Sequence, residues 1–194
     1  MNIGEEICGE WLRHIEQCEF IQYNLKTSDK QGEIDVIGLN MKTRTVYACE
    51  VAIHLVTGLQ YTKNNQPDNI QRFSTKFRKD VAYVRENFKD YKHRFMLWSP
   101  IVRNQKAGAK HNQLAHVAEI VKALKSEIGV KVEPIINREF QKALAELREK
   151  AGDISKELDS SVMRYLQIEE WLKAHLGSAG MKPDLTPPSP FRAI

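Results

Sequence analysis

Apolar and polar residues follow two different periods along the chain, and the changes of period divide it into helices and strands. At residues 4–17 apolar side chains recur at intervals of three and four, which is typical of an amphipathic helix. Residues 20–25, 33–39 and 44–53 are short apolar runs separated by polar turns, which predicts strands. Because the connections are short, we expect these strands to form an antiparallel meander.

The second half of the chain continues with longer connections. Its elements are predicted at residues 68–89 (helix), 93–102 (strand), 114–128 (helix) and 130–136 (strand). A strand, helix, strand succession implies a right-handed crossover and parallel pairing, and the strand at 93–102 is expected at the centre of the sheet. The sequence therefore predicts an α/β fold, with a mixed β-sheet flanked by helices.

The pattern also divides the chain into three regions. Residues 1–137 form the α/β core, and helical periodicity continues at 138–151 and 154–176. This C-terminal helical extension (138–176) is expected either to pack on the core or to form a dimer contact. Residues 177–194 contain four prolines and predict a flexible tail.

Composition places the chain among soluble globular proteins. It has 194 residues, of which 42% are hydrophobic and 28% charged. No window approaches 18 uninterrupted apolar residues and the first residues lack a signal-peptide pattern, so a cytoplasmic protein without a membrane partner is expected. The three cysteines are predicted to be buried thiols, because they are too few and too dispersed for a disulfide framework.

The distribution of charge changes this picture, because acidic residues predominate in the first part of the chain and basic residues in the part that follows. Residues 1–61 hold 5 basic and 9 acidic side chains, whereas residues 62–110 hold 12 basic and 4 acidic ones. Carboxylates that hold a metal beside lysines and arginines that hold an anionic polymer would give such a division. A solvated basic helix is the simpler alternative.

Three acidic residues stand at positions expected to face inward. Asp35 and Glu50 lie within apolar strands, where burying a carboxylate is costly unless it meets a divalent metal or a basic partner. Glu5 lies on the apolar stripe of the first helix. It is either a further site residue or only a partner of the helix dipole.

The order of these residues resembles the PD-(D/E)xK nuclease superfamily. The matching segments are the helix Gly4-Glu5-Glu6-Ile7-Cys8-Gly9-Glu10-Trp11-Leu12, Asn24 with the strand Gly32-Glu33-Ile34-Asp35, and the strand that ends in Glu50-Val51. Together they cover about residues 4–61. The segments look most similar to the branch of restriction-endonuclease-like and Holliday-junction-resolvase-like proteins.

The resemblance implies a restriction-endonuclease-like fold and metal-dependent hydrolysis of phosphodiester bonds. Asp35 and Glu50 would bind Mg²⁺ or Mn²⁺, and Glu5 would bind the metal directly or through water. Hard oxygen ligands suit such ions, which stabilise charge on phosphoryl oxygens. The expected substrate is nucleic acid, DNA rather than RNA, and duplex substrates are often handled by homodimers.

One position departs from the family pattern. The lysine expected two residues after Glu50, on the same face of the strand, is Ala52 in this chain. Three interpretations remain open. Another basic side chain replaces the lysine; the fold is kept for binding nucleic acid or a partner with hydrolysis lost; or Ala52 is an inactivating substitution introduced into the sequence.

Several residues are candidates for the missing group and for the substrate surface. His54 follows on the same face if the strand stays extended, although a lone histidine at a strand end is usually a surface residue. The candidate replacement lysines are Lys63, Lys76 and Lys79. The candidate phosphate contacts are Arg72, Lys76 and Lys79, which form a basic stripe on the helix predicted at 68–89, and Arg103, Lys106 and Lys110, which lie in a basic loop after the strand predicted at 93–102.

Overall fold

Five strands form one mixed β-sheet in the computed structural model, which describes residues 2–27 and 32–178. The strands are β1 (Phe20–Lys26), β2 (Glu33–Asn40), β3 (Thr45–Val51), β6 (Lys92–Ser99) and β7 (Val132–Ile136), and a separate hairpin consists of β4 (Thr62–Lys63) and β5 (Gln66–Pro67). The helices are α1 (Ile3–His14), α2 (Asn69–Asn87), α3 (Gln113–Ile128), α4 (Arg138–Asp153) and α5 (Ser161–Ser178). Most of the turn predicted between β1 and β2 and nearly all of the predicted tail lie outside the described residues.

The pairing of the strands confirms the predicted meander and the predicted parallel crossover. β1, β2 and β3 are antiparallel neighbours, and β3–β6 and β6–β7 are parallel pairs. The order is β1-β2-β3-β6-β7, so β3 is the middle strand. The strand predicted at 93–102 is β6, which lies inside the sheet between β3 and β7, although β3 and not β6 is the exact middle.

Helices cover both faces of the sheet. α1 approaches one face so closely that a Cβ added to Gly4 would lie 2.0 Å from the Ile53 side chain. Trp98 of β6 faces the same side, where its ring contacts the ring of Trp11 edge-on at 5.4 Å between centroids. On the other face, α2 and α3 bury a continuous core. Its largest members from the helices are Phe73, Phe77, Ile120 and Leu124.

Several predicted ends differ from the structure, among them the strand predicted to residue 102, which ends at Ser99, and three of the differences have a local reason. The first helix ends at His14, not at residue 17, and Gln17 has a left-handed backbone conformation (φ 54°) that no α-helix continues. β3 ends at Val51, not at residue 53, since only Ala52 still donates to the neighbouring strand, at Trp98 O. The last helix begins at Ser161 rather than at residue 154, because the Ser160 hydroxyl accepts from Met163 N at 3.3 Å as an N-cap.

The chain divides into two compact units, Met1–Leu147 and Arg148–Ile194. Within the described part of the second unit, Arg148 pairs with Glu169 at 3.5 Å, and the Gln167 amide donates to the carbonyls of Ile154 and Lys156. Five large apolar side chains of α5 are exposed. They are Tyr165, Ile168, Trp171, Leu172 and Leu176.

Two predictions about the chain as a whole can be compared with the structure. Cys8, Cys18 and Cys49 are free and buried, as predicted. Among the helices at residues 3–178, none combines the length and apolar character needed to cross a membrane.

Candidate carboxylate–lysine centre

Asp35 and Glu50 lie side by side at one edge of the sheet. The register pairs Val36 with Cys49, so the next residues, Asp35 and Glu50, are opposite each other and point to the same face. The Asp35 carboxylate accepts a hydrogen bond from Val51 N at 2.8 Å. Glu50 is fully buried, whereas the Asp35 side chain is 15% exposed. The two acids therefore form one pair, of which only Asp35 is partly exposed to solvent.

Lys76 reaches this pair from α2. Its Nζ lies 3.1 Å from Asp35 Oδ1 and also contacts Glu50 Oε2. Of the three candidate replacement lysines, Lys76 is thus the one that the structure brings to both carboxylates. The ammonium group comes from a helix packed on the sheet, not from the strand position that Ala52 occupies.

A third carboxyl group, which we did not predict, completes the cluster. Asp80 lies one helical turn after Lys76 and is 1% exposed. Its Oδ2 atom and Glu50 Oε1 have no hydrogen-bond partner among the described residues. A signal for Asp80 was present in the sequence. Asp80 stands between Phe77 and Val84 on the apolar stripe that begins at Phe73, at a spacing where a buried residue is expected.

Burial and mutual repulsion change the protonation of this cluster. Burial, together with the charges of Asp80 and Asp35, raises the pKa of Glu50 well above its usual value, and Lys76 offsets only part of this. Burial likewise raises the pKa of Asp80 to about 7. Burial lowers the pKa of Lys76, but the charges of Glu50 and Asp35 outweigh it and raise that pKa. At neutral pH the lysine is therefore charged, and burial favours the protonated forms of Glu50 and Asp80.

The cluster fits a divalent metal by ligand type but not by its present arrangement. Carboxylate oxygens are the ligands that Mg²⁺ and Mn²⁺ prefer, and Glu50 Oε1 is buried without a partner. Within residues 2–27 and 32–178, however, no group of three or more acidic, histidine or cysteine side chains is arranged to hold an ion. The Lys76 ammonium lies between Asp35 and Glu50, so an ion that binds both must displace it.

Glu5 is engaged at the start of α1. Its carboxylate accepts from Asn2 N at 3.0 Å in a capping box, and from Asn24 Nδ2 at 3.4 Å. α1 packs on the face of the sheet that contains Val51, opposite to the face covered by α2. The role of Glu5 in holding a metal stays a prediction.

His54 lies at the rim of the cluster rather than on its strand. β3 has ended before this exposed residue, so the condition under which His54 would share the face of Glu50 is not met. Its Nε2 is 3.0 Å from the Tyr61 hydroxyl, and the Arg72 guanidinium lies over the Tyr61 ring at 4.3 Å. Burial raises the pKa of Tyr61, on which the charges of Arg72, Lys76, Asp35 and Glu50 also act. Tyr61 therefore links His54 to Arg72 of α2.

An open cleft of about 630 Å³ lies beside the cluster. Its charged lining consists of four basic side chains, Lys63, Arg72, Lys76 and Lys79, and three acidic ones, Glu33, Asp68 and Asp80. The predicted basic stripe on α2 is therefore not a uniform solvated face, because Lys76 turns inward to the carboxylates while Arg72 stays exposed.

The predicted basic loop follows β6 at the same edge of the sheet. β3 and β6 are parallel, so the residues after Ser99 begin near the residues after Val51. Arg103 donates to the Val56 carbonyl, and Lys110 Nζ donates to Asn65 O at 3.3 Å. Lys106 is exposed. The acidic cluster and the candidate phosphate contacts thus share one edge of the fold.

Comparison of the chain with protein-family models, with characterised proteins and with solved structures found no match. The resemblance to the PD-(D/E)xK superfamily accordingly rests on the residues of this chain alone.

Proposed function

We propose that this chain is a metal-dependent nuclease with a restriction-endonuclease-like fold, which hydrolyses phosphodiester bonds of DNA. The observation that carries this proposal is the Lys76 ammonium, which contacts both Asp35 and Glu50 from α2. It supplies from a helix the positive charge that the superfamily pattern expects at the position of Ala52.

The residues divide the chemistry between them. Asp35 and Glu50 would hold Mg²⁺ or Mn²⁺, with Glu5 as a further ligand directly or through water. Such an ion, when bound, stabilises charge on the phosphoryl oxygens and lowers the pKa of a bound water. Lys76 keeps its proton, since its pKa is raised, so it acts as a hydrogen-bond donor that orients water or phosphate and not as a general base.

The substrate backbone would lie along the side of the fold that holds the candidate phosphate contacts and Lys63. We call this side the basic edge. Lys63, Arg72 and Lys79 line the cleft beside the carboxylates. Arg103, Lys106 and Lys110 extend the same edge through the loop after β6. Contacts of this kind give affinity without sequence information, which suits a backbone-directed enzyme.

Cleavage of labelled DNA with Mg²⁺ or Mn²⁺ tests the proposal. Asp35→Ala and Lys76→Ala are each expected to lower the rate by about 100-fold or more, since each removes a charge at the reacting phosphate. Lys79→Ala is the matched control on the same helix and is expected to change the rate by less than about tenfold. Equal rates for all three variants and the unchanged chain would refute it.

A second function has its own support. The Lys76 ammonium already neutralises Asp35 and Glu50, and Ala52 leaves the strand without its lysine. A degenerate nuclease fold that binds nucleic acid or a partner without cleaving has this arrangement. Salt-sensitive DNA binding without cleavage, unchanged by Asp35→Ala, would favour it.

A homodimer also belongs to the proposal. Duplex DNA has two similar strands, and symmetric pairs of subunits often act on it. The exposed apolar side chains of α5 offer a surface for a second copy. Light scattering of the full chain measures the mass directly, and a monomer at all concentrations would remove this part of the proposal.

A further inference from the structure

Two large apolar side chains stand exposed in the loop that follows β3, the strand that carries Glu50. Leu55 is 64% and Val56 83% exposed, and we call this pair the apolar tip. Single exposed apolar residues are common, but two adjacent ones on a loop beside a charged cleft leave apolar area in water without an evident structural reason.

The loop behind the apolar tip is firmly held. The carbonyl of Val56 accepts from Arg103, and that of Thr57 accepts from the Gln113 amide at 2.8 Å. Gln113 is itself 2% exposed. Gly58 follows with a left-handed backbone (φ +65°), and a Cβ there would lie 2.6 Å from Gln113 Oε1. The apolar tip is therefore presented by a fixed loop, not by a loose one.

Two arginines lie near the base of this loop. Arg103 donates to the Val56 carbonyl, and the Arg72 guanidinium lies over the ring of Tyr61, whose hydroxyl contacts His54, one residue before Leu55. A partner that covers the apolar tip therefore also meets cationic groups beside it. An anionic polymer with an apolar interior has both matching features, and stacked bases behind a phosphate backbone provide them.

We propose that the apolar tip is a wedge that inserts between bases next to the phosphate held at the carboxylate–lysine centre. Unstacking a base step costs a few kcal/mol in a continuous duplex and less where stacking is already interrupted. The preferred substrate class is thus DNA with a branch, mismatch or end. This inference rests on the proposed function and names the substrate of the same site.

The test uses the full chain in EDTA, so that binding is measured without cleavage. The probes are a branched DNA and a continuous duplex of equal length, each with 2-aminopurine at the central step. The variant Leu55→Ser/Val56→Ser is compared with Met41→Ser, which removes an equally exposed apolar side chain (61%) in the turn between β2 and β3. Thermal unfolding by circular dichroism checks that both variants are folded.

We expect the unchanged chain to bind the branched DNA about tenfold more tightly than the duplex and to raise 2-aminopurine fluorescence. The double variant should lose this preference and the fluorescence increase while its duplex affinity and salt dependence stay the same. Met41→Ser should retain both.

Two results overturn the inference and separate it from the proposed function. If the chain binds DNA but the double variant behaves like the unchanged chain, the wedge fails alone, and the apolar tip then faces another partner such as a protein. If the unchanged chain binds none of the probes, the proposed function fails and the wedge fails with it.

Discussion

At the scale of single residues, Lys76 is the cation that neutralises Asp35 and Glu50. Lys76→Met would leave Asp35 and Glu50 beside each other without their cation. Breaking a buried ion pair costs about 3–5 kcal/mol, and the 30% exposure of the lysine side chain reduces the expected loss to about 2 kcal/mol at pH 8. Urea denaturation in EDTA measures the free energy of unfolding.

Lys79→Met is the control for this stability prediction. It lies three residues later on the same helix, has no ion pair with an acid of residues 2–27 or 32–178 that resembles that of Lys76, and is expected to change the unfolding free energy by less than about 0.5 kcal/mol. The loss caused by Lys76→Met should shrink at acidic pH, where the acids carry protons. An unchanged stability at pH 8 would mean that the ion pair is not formed in solution.

Asp80 gives a separate prediction about pH. Its folded-state pKa of about 7 lies above its ordinary value of 3.8, so the folded protein binds this proton more tightly than the unfolded chain. The resulting stability is fully present below about pH 4 and is lost as the pH rises through about 7. Asp80→Asn removes the buried charge and should stabilise the protein at pH 8 by about 1–3 kcal/mol.

The check on Asp80 is a series of unfolding curves between pH 5 and pH 8. Asp80→Asn should flatten the decline in stability over this range. Asp90→Asn, whose side chain is 84% exposed and pairs with Arg44 at the surface, should leave the profile unchanged. A decline that is the same in both variants would place the titrating group elsewhere.

At the scale of elements, the loop after β3 depends on Gly58. Gly58→Ala is expected to destabilise the protein by about 2–3 kcal/mol for two reasons. Alanine disfavours the left-handed backbone at this position, and its Cβ would clash with the Gln113 amide oxygen. Gly108 is also left-handed (φ +80°), but nothing lies within 4 Å of its Cβ position. Gly108→Ala should therefore cost only about 1 kcal/mol. Equal losses in thermal unfolding would contradict the close contact at Gly58.

The main strands could be read from the sequence, whereas the short hairpin could not. Short apolar runs between polar turns indicated β2 and β3, and their short connection implied the antiparallel pairing that brings Asp35 opposite Glu50. β4 and β5 have two residues each, too few for any periodicity. The signal was in their turn, since Asn64 and Asn65 both have positive φ, as a type I′ hairpin requires.

The helical periodicity of α2 predicted which face of the helix each side chain occupies, but not how deeply it is buried. It grouped Lys76 with Arg72 and Lys79 on one basic stripe, although the long Lys76 side chain crosses from that stripe to the sheet. The helical periodicity did not identify Asp80 as a buried site residue, because a single acid within an apolar stripe does not change the assignment of the stripe. Only the packing of α2 against β2 and β3 distinguishes these residues.

At the scale of the whole molecule, the basic edge predicts how DNA affinity depends on salt. Each phosphate contact that is removed should lower the slope of log K against log salt by about 1. Lys106→Gln is expected to show this decrease. Lys42→Gln, at an exposed position in the turn between β2 and β3, should not. Titrations by fluorescence anisotropy between 50 and 200 mM salt distinguish the two variants, and equal slopes would exclude the loop from the interface.

We propose that Asp35 and Glu50 hold a catalytic metal beside Lys76. Anomalous diffraction from crystals soaked in Mn²⁺ would locate such an ion. We expect one strong peak within coordination distance of Asp35 Oδ1 and of a Glu50 carboxylate oxygen, with the Lys76 ammonium moved out from between them. Crystals saturated with Mn²⁺ that show no peak there, and Lys76 still in contact with both acids, would contradict it.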